Sequence, residues 1–214
     1  MNPNKTVIVA VIDRSGSMSS IREDMEGGFN QFLADQAKQP GECHVTLVQF
    51  DHEYEIVYSD LKLGPVLPAL VILPRGSTAL RDAIGRAIDT TGAALASLPE
   101  TERPGHVIVL IVTDGQENAS REYSQERVRE MIKHQSEVYK WQFVYLGADE
   151  KAVDIGVGLG IKHEHSVKYG MNSANVQDMF VKTSGKIRSV RSSGISGQSV
   201  SAYTDQEREE LDTK

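Results

Sequence analysis

The fold of this chain is decided by the stretch Thr6-Val7-Ile8-Val9-Ala10-Val11-Ile12-Asp13-Arg14-Ser15-Gly16-Ser17-Met18. Its apolar part runs from Val7 to Ile12, is mostly β-branched, and ends in a polar turn instead of continuing for two helical turns. Such a run predicts a strand that is buried on both faces of a parallel sheet. Asp13 then lies at the carboxyl end of the strand, where ligands bind in open α/β sheets because the loops converge there.

Three side chains that carry oxygen follow this strand. Asp13, Ser15 and Ser17 alternate along an extended turn, so their oxygens can point to one side. No sulfur or imidazole lies among them, and clustered hard oxygens suit Mg²⁺, Mn²⁺ or Ca²⁺. The turn therefore predicts a site for a hard divalent cation.

Two later segments carry further oxygen ligands in a matching context. Thr78 lies in Gly76-Ser77-Thr78-Ala79-Leu80, just before an apolar pattern with helical spacing, and Asp114 follows the second fully apolar run, Val107 to Val112. Polar residues after buried strands are usually turn formers, but three such segments in this order favour a metal site. A divalent cation would also let the carboxylates of Asp13 and Asp114 stay ionised close together.

This discontinuous pattern resembles the metal-ion-dependent adhesion site (MIDAS) of von Willebrand factor A (vWA) domains, in the intracellular prokaryotic or phage type. The resemblance implies that Ser15 and Ser17 bind Mg²⁺ directly, with Mn²⁺ or Ca²⁺ as alternatives. It implies that Thr78 and Asp114 exchange between direct and water-mediated contact, and that Asp13 acts through water or holds the serines. One coordination position is then open to a group from outside.

The same resemblance, which covers roughly residues 5 to 190, implies a three-layer Rossmann-like α/β fold. Helices cover both faces of a mostly parallel sheet of about six strands, in agreement with the alternating strand and helix patterns along the chain. Only Asp51-His52-Glu53 separates two predicted strands, which suffices for a hairpin but not for a parallel crossover. We therefore expect one antiparallel strand at the sheet edge.

We predict a vWA-like domain over residues 1–191 and a Ser/Gly-rich C-terminal extension over residues 192–214. The extension is expected to be loosely held from Ser192 to Ala202 and to end in a short helix capped by Thr204. The first long helix is expected to begin with a capping box formed by Ser20 and Glu23.

The composition of the chain indicates which classes of partner it binds and in which cellular compartment it is found. The formal net charge is -7, with 30 acidic and 23 basic residues among 214, so the chain lacks the basic balance of nucleic-acid or membrane binders. Cys43 is the only cysteine, which excludes an intrachain disulfide, and the first apolar run is too short for a signal peptide core or a membrane span. We expect a cytoplasmic protein that binds neither nucleic acid nor membrane.

The expected function is a non-enzymatic module that binds an Asp or Glu carboxylate of a protein partner through the cation. The resemblance implies a ring-shaped ATPase as one class of partner. A second copy of the chain, offering its acidic segment Glu207 to Asp212, is another.

An enzyme is the alternative, namely a Mg²⁺-dependent phosphotransferase or phosphatase with Asp13 as nucleophile. Such enzymes usually carry a second acid two residues later, where this chain has Ser15, and no lysine stands at a matching motif. A serine hydrolase is disfavoured because Ser15 and Ser17 lack a G-x-S-x-G elbow.

Four charged or polar residues near the motif have roles that the sequence leaves open. Arg14 either steers an acidic ligand or is a solvated loop residue. Asp82 is expected in the first turn of the helix after Thr78, where an acid interacts favourably with the helix dipole. A hydrogen bond to a metal ligand is the alternative role. Glu117 and Asn118 are expected to lie in a solvated loop, with contact to a bound ligand as the alternative.

Overall fold

The fold is described by a computed structural model that covers residues 1–213. Within these residues a six-stranded sheet has the strand order β3-β2-β1-β4-β5-β6, and six α-helices surround it. The elements are β1 (Asn2–Asp13), α1 (Arg22–Ala37), β2 (Glu42–Phe50), β3 (Tyr54–Lys62), α2 (Leu80–Ala96), β4 (Pro104–Thr113), α3 (Gln125–Tyr139), β5 (Gln142–Gly147), α4 (Ala152–Gly158), β6 (Ser166–Lys168), α5 (Ser173–Ser192) and α6 (Asp205–Leu211).

The two apolar runs that the sequence singled out form the centre of the sheet. Strand β1 pairs in parallel with β2 on one side and with β4 on the other, and every residue of β4 is buried. In this register Ile12 lies opposite Val112. The chain therefore leaves both strands side by side, which brings Asp13 and Asp114 to the same place at the carboxyl edge.

Helices cover both faces of the sheet, as predicted. One buried cluster joins the sheet to α1, α5 and α6, and the other joins it to α2, α3 and α4. Phe180 of α5 packs against Phe29 and Phe32 of α1, with ring centroids 6.0 and 6.2 Å apart. Strand β3 pairs antiparallel with β2 at the sheet edge, so the predicted hairpin and the three-layer α/β architecture are confirmed.

The start of α1 differs from the sequence prediction. Residues Gly16–Ser20 form a short 3-10 turn, and α1 begins at Arg22 after Ile21, which gives no side-chain cap. The expected capping box of Ser20 and Glu23 is wrong, because Ser20 lies within the tight turn that carries the chain away from Ser17. Its hydroxyl donates instead to the Ser17 carbonyl at 3.5 Å.

The segment after α5 returns to the sheet. Val200, Tyr203 and Leu211 are buried in the cluster that holds α1 and α5, and the Tyr203 hydroxyl is 2.6 Å from Thr183 Oγ1. The expectation of a loosely held segment is therefore wrong at Val200, whose carbonyl also bonds the ring of the buried His165. Helix α6 begins with the capping box of Thr204, as predicted. Within residues 1–213, no helix is both long and apolar enough to span a membrane.

Candidate metal centre

Three loops meet at the carboxyl edge of β1 and β4. The loop after β1 donates the N–H of Gly16 to the carbonyl of Gly76, 3.3 Å away, in the loop before α2. That second loop is also held by the N–H of Asn118, which donates to the carbonyl of Thr78 at 3.0 Å. Main-chain bonds thus fix the loops that carry Ser15, Thr78 and Asp114 relative to one another.

Asp13 is fully buried beneath these loops. One oxygen of its carboxylate accepts the N–H of Ser15 at 2.6 Å, and the other accepts the hydroxyl of Thr113 at 2.6 Å. Burial raises the pKa of Asp13 to about 6, although these hydrogen bonds act in the opposite direction. The Asp13 carboxylate is therefore not exposed to solvent, and its hydrogen bond to the N–H of Ser15 orients the turn that carries Ser15.

A chain of oxygens leads from Ser15 to Asp114. The hydroxyl oxygens of Ser15 and Ser17 are 3.1 Å apart, and Ser17 donates to Asp114 Oδ1 at 2.8 Å. The second carboxylate oxygen, Asp114 Oδ2, is buried and has no hydrogen-bond partner within the described part of the chain. Burial also raises the pKa of Asp114. A buried acceptor without a partner is costly, so this oxygen needs a cation or a donor that the protein itself does not supply.

Gly115 shows where the oxygens converge. A Cβ built on Gly115 would lie 3.0 Å from Thr78 Oγ1, 3.5 Å from Ser17 Oγ and 3.6 Å from Ser15 Oγ. Three hydroxyls therefore converge beside Gly115, and a Cβ there would press most closely on Thr78 Oγ1. Together with the carboxylates of Asp13 and Asp114, they form a donor set of oxygens alone, which fits a hard divalent cation.

The structure thus brings together all five residues predicted to form the site. Each stands on the element that the sequence assigned to it: one ends β1, two lie in the turn after it, one precedes α2, and one follows β4. The described residues contain no group of three or more His, Cys, Asp or Glu that could hold a metal, so the hydroxyls are an essential part of this candidate site.

Two residues that we expected to be solvated, Glu117 and Asn118, bond the Thr78 loop and the start of α2. Asn118 Oδ1 accepts the N–H of Thr78 at 2.9 Å, and the Glu117 carboxylate accepts the N–H of Arg81 at 2.9 Å. Glu117 and Asn118 lie in a loop, as expected, and Asn118 is exposed, but both side chains hydrogen-bond main-chain N–H groups instead of standing free in solvent. The signal was present in part, since the first turn of α2 must leave N–H groups free and an acidic loop follows the next strand.

Asp82 makes the reverse contact, from α2 to the loop after β4. Its carboxylate accepts the N–H groups of Arg121, Glu122 and Tyr123 at 2.8 to 3.0 Å. Its position in the first turn of α2 agrees with the expected helix-dipole role, but the sequence did not predict these three hydrogen bonds. Asp82 ties the loop after β4 to α2, so Thr78 and Asp114 are held by one connected unit.

Arg14 is neither a solvated residue nor a steering charge. It is buried, its Nε donates to Asp51 Oδ2 at 3.0 Å, and its guanidinium also pairs with Glu55. The register explains the contact, because Asp13 lies opposite Phe50 and the next residues, Arg14 and Asp51, leave neighbouring strands together. The positive charge beside the site is thus neutralised within the protein.

Comparisons with known proteins identify the fold. No protein-family model matches the sequence, and no curated protein matches it. Among solved structures, proximal thread matrix protein 1 from the mussel byssus, with a zinc-occupied MIDAS motif, is 17% identical over 90% of this chain, with a TM-score of 0.58. The chain covers 46% of that protein.

Two microbial structures give the same result. The ArnB paralog VWA2 from Sulfolobus acidocaldarius is 19% identical over 83% of this chain and 44% of its own, with a TM-score of 0.55. A von Willebrand factor type A protein from Catenulispora acidiphila is 15% identical over 85% of this chain and 42% of its own, with a TM-score of 0.53. This chain thus has the vWA fold and spans less than half of these three proteins.

Proposed function

We propose that this chain is a metal-dependent protein-binding module whose MIDAS-like site accepts a carboxylate from a partner. Asp13, Ser15, Ser17, Thr78 and Asp114 would hold the cation. The observation that carries the proposal is the buried Asp114 Oδ2, which has no hydrogen-bond partner among residues 1–213, together with the three hydroxyls that converge beside Gly115. Bound there, a divalent cation would supply positive charge to this oxygen and to a ligand from outside.

We propose Mg²⁺ as the cation, with Mn²⁺ or Ca²⁺ as alternatives, because the donor set contains only oxygen. Mg²⁺ prefers six oxygens, and the hydroxyls of Ser15, Ser17 and Thr78 supply at most three. Neutral hydroxyls do not cancel the charge of the metal on its open side. An Asp or Glu of a partner is the group that complements such a charge best.

The burial of Asp13 supports binding over catalysis. Both oxygens of its carboxylate accept hydrogen bonds, from Ser15 and Thr113, and its side chain has no exposed surface. A nucleophile must reach the phosphorus atom that it attacks. The phosphotransferase or phosphatase alternative therefore has no geometric support, and we favour a non-enzymatic role.

The partner we favour is a different protein, such as an ATPase, in the cytoplasm. A second copy would have to offer its acidic segment, but much of that segment is used within the chain. Ion pairs of 2.7 to 2.9 Å join Glu207 to Lys186, Glu210 to Lys182 and Asp212 to Lys168. A second copy could donate one of these three carboxylates only by breaking its ion pair.

Capture of partners by the immobilised protein from an extract of its source cells is expected to depend on the cation. Binding should be lost with chelator, return with Mg²⁺ or Mn²⁺, and fail for Thr78→Ala, because that variant lacks one of the converging hydroxyls. Thr101→Ala is the matched control, since Thr101 is exposed before β4 at the other edge of the sheet. A captured protein whose affinity changes with neither chelator nor Thr78→Ala would contradict the metal-bridged mechanism.

A further inference from the structure

Asp51, the first residue after β2, is fully buried although it is not one of the candidate ligands. Its Oδ2 accepts hydrogen bonds from Arg14 Nε at 3.0 Å and from Arg75 Nε at 2.8 Å. Its Oδ1 accepts the N–H of Glu53 at 2.6 Å, and its main-chain carbonyl accepts the N–H of Ala79 at 2.8 Å. One aspartate thus holds donors from three separate segments.

Two of these segments carry the candidate metal ligands. Arg14 stands between Asp13 and Ser15, and Ala79 directly follows Thr78. The two segments also bond each other directly, because the N–H of Arg75 donates to the carbonyl of Arg14 at 2.9 Å. The distance between the serine hydroxyls and the Thr78 hydroxyl therefore depends on contacts that pass through Asp51 and its arginines.

We propose that Asp51, with Arg14 and Arg75, is a positioning unit that sets the spacing of the Ser15 and Thr78 loops and thereby the affinity and size selectivity of the cation site. This inference rests on the proposed function. The unit acts without touching the cation. The N–H of Glu53 and the two guanidinium groups outweigh the effect of burial and hold the pKa of Asp51 below its usual value, so the carboxylate stays ionised.

A substitution of Arg75 can distinguish two effects on cation binding: the positioning of the Thr78 loop and the direct Coulomb repulsion between Arg75 and the cation. Removing its positive charge should strengthen cation binding if Coulomb repulsion alone matters, since like charges repel. Removing the same side chain should weaken cation binding if Arg75 holds the Thr78 loop. The Arg75 side chain is half exposed, so an Arg75→Met variant should still fold. The two explanations predict opposite signs for one measurement.

Size selectivity gives a second readout. Mg²⁺ demands a near-ideal octahedron of oxygens, whereas Ca²⁺ tolerates a larger and less regular set. A loosened Thr78 loop should therefore cost Mg²⁺ more affinity than Ca²⁺. A general loss of stability would weaken both cations alike and would leave their ratio unchanged.

The experiment is calorimetric titration of Mg²⁺ and of Ca²⁺ into the wild type, Arg75→Met and Arg127→Met. Arg127 lies in the first turn of α3, is mostly exposed and makes one long ion pair with Glu130, so its variant removes an arginine that does not bond Asp51. We expect Arg75→Met to lose about tenfold or more in Mg²⁺ affinity, the scale of outer-shell changes, and to lose less for Ca²⁺. Arg127→Met should match the wild type.

Hydrogen exchange adds a measurement that needs no metal. In the metal-free Arg75→Met variant, the amide of Ala79 should exchange faster than in the wild type, and Asp51→Asn should act in the same direction. Equal or tighter Mg²⁺ binding by Arg75→Met would overturn the inference and leave the proposed function standing. Failure of the wild type to bind either cation would instead overturn the proposed function, and this inference with it.

Discussion

Gly115→Ala is expected to abolish Mg²⁺ binding while the protein stays folded. The added methyl carbon would lie 3.0 Å from Thr78 Oγ1 and within 3.6 Å of the hydroxyl oxygens of Ser15 and Ser17. It would crowd the three hydroxyls, whose oxygens would each have to lie about 2.1 Å from a bound Mg²⁺. We expect the affinity for Mg²⁺ to fall by more than about 100-fold, beyond the range of outer-shell changes.

The fold should tolerate this substitution because Gly115 does not adopt a positive φ. Its neighbours in space are hydroxyl groups, which can rotate away from a methyl group at small cost. Gly27→Ala is a matched control, since Gly27 lies on α1 and a Cβ there would contact nothing within 4 Å. Calorimetry should show wild-type Mg²⁺ affinity for Gly27→Ala and none for Gly115→Ala. If a folded Gly115→Ala variant kept wild-type affinity for Mg²⁺, the cation would not bind at the hydroxyls of Ser15, Ser17 and Thr78.

The parts of the site that follow from local sequence could be predicted. Val7 to Ile12 and Val107 to Val112 are apolar without interruption, so both had to be central strands, and the polar residues after them had to share one edge. The motif pattern then placed Thr78 at the start of a helix. These inferences need only the order of elements along the chain, and they require no knowledge of which side chains meet.

The supporting contacts could not be predicted because they join positions that are far apart in sequence. Asp82 meets amides about 40 residues later, and Arg14 meets Asp51 only because β1 and β2 pair in one particular register. A charged residue in a loop is usually solvated, so composition alone gives no reason to bury Arg14. The carboxyl edge of the sheet buries its charges against one another, and sequence patterns do not carry that information.

The C-terminal segment departs from prediction for a different reason. Serine and glycine dominate residues 192–199, and most of these positions are exposed, as their composition indicates. The buried residues Val200 and Tyr203 are single apolar side chains without periodicity. Isolated apolar residues give no periodic pattern from which burial could be predicted, yet Val200 and Tyr203 both pack in the core.

Asp13→Asn is expected to stabilise the metal-free protein and to remove its response to Mg²⁺. Burial raises the pKa of Asp13 from an ordinary value of 3.8 to about 6 in the folded protein. A group whose pKa is higher in the folded state contributes stability at low pH, and this contribution is lost as the pH rises through about 6. At pH 8 the ionised Asp13 therefore costs the metal-free fold up to about 3 kcal/mol, since one pKa unit corresponds to about 1.4 kcal/mol.

Asparagine removes this charge and can keep both hydrogen bonds. Its carbonyl can accept the N–H of Ser15, and its amide can donate to Thr113 Oγ1, which also acts as an acceptor. In chelator at pH 8, Asp13→Asn should melt several degrees above the wild type, since about 1 kcal/mol shifts the midpoint by about 2–4 °C in a domain of this size. The gap should narrow as the pH falls through about 6.

Mg²⁺ should reduce or reverse this difference between the two proteins. A ligand that binds only the folded state stabilises that state more as its affinity rises, so the wild type should gain stability and Asp13→Asn should gain little. Asp154→Asn, an exposed position on α4, should respond to Mg²⁺ like the wild type. If Asp13→Asn melts below the wild type in chelator at pH 8, the buried charge is already balanced without a metal, and the carboxyl edge of the sheet then has no electrostatic need for a cation.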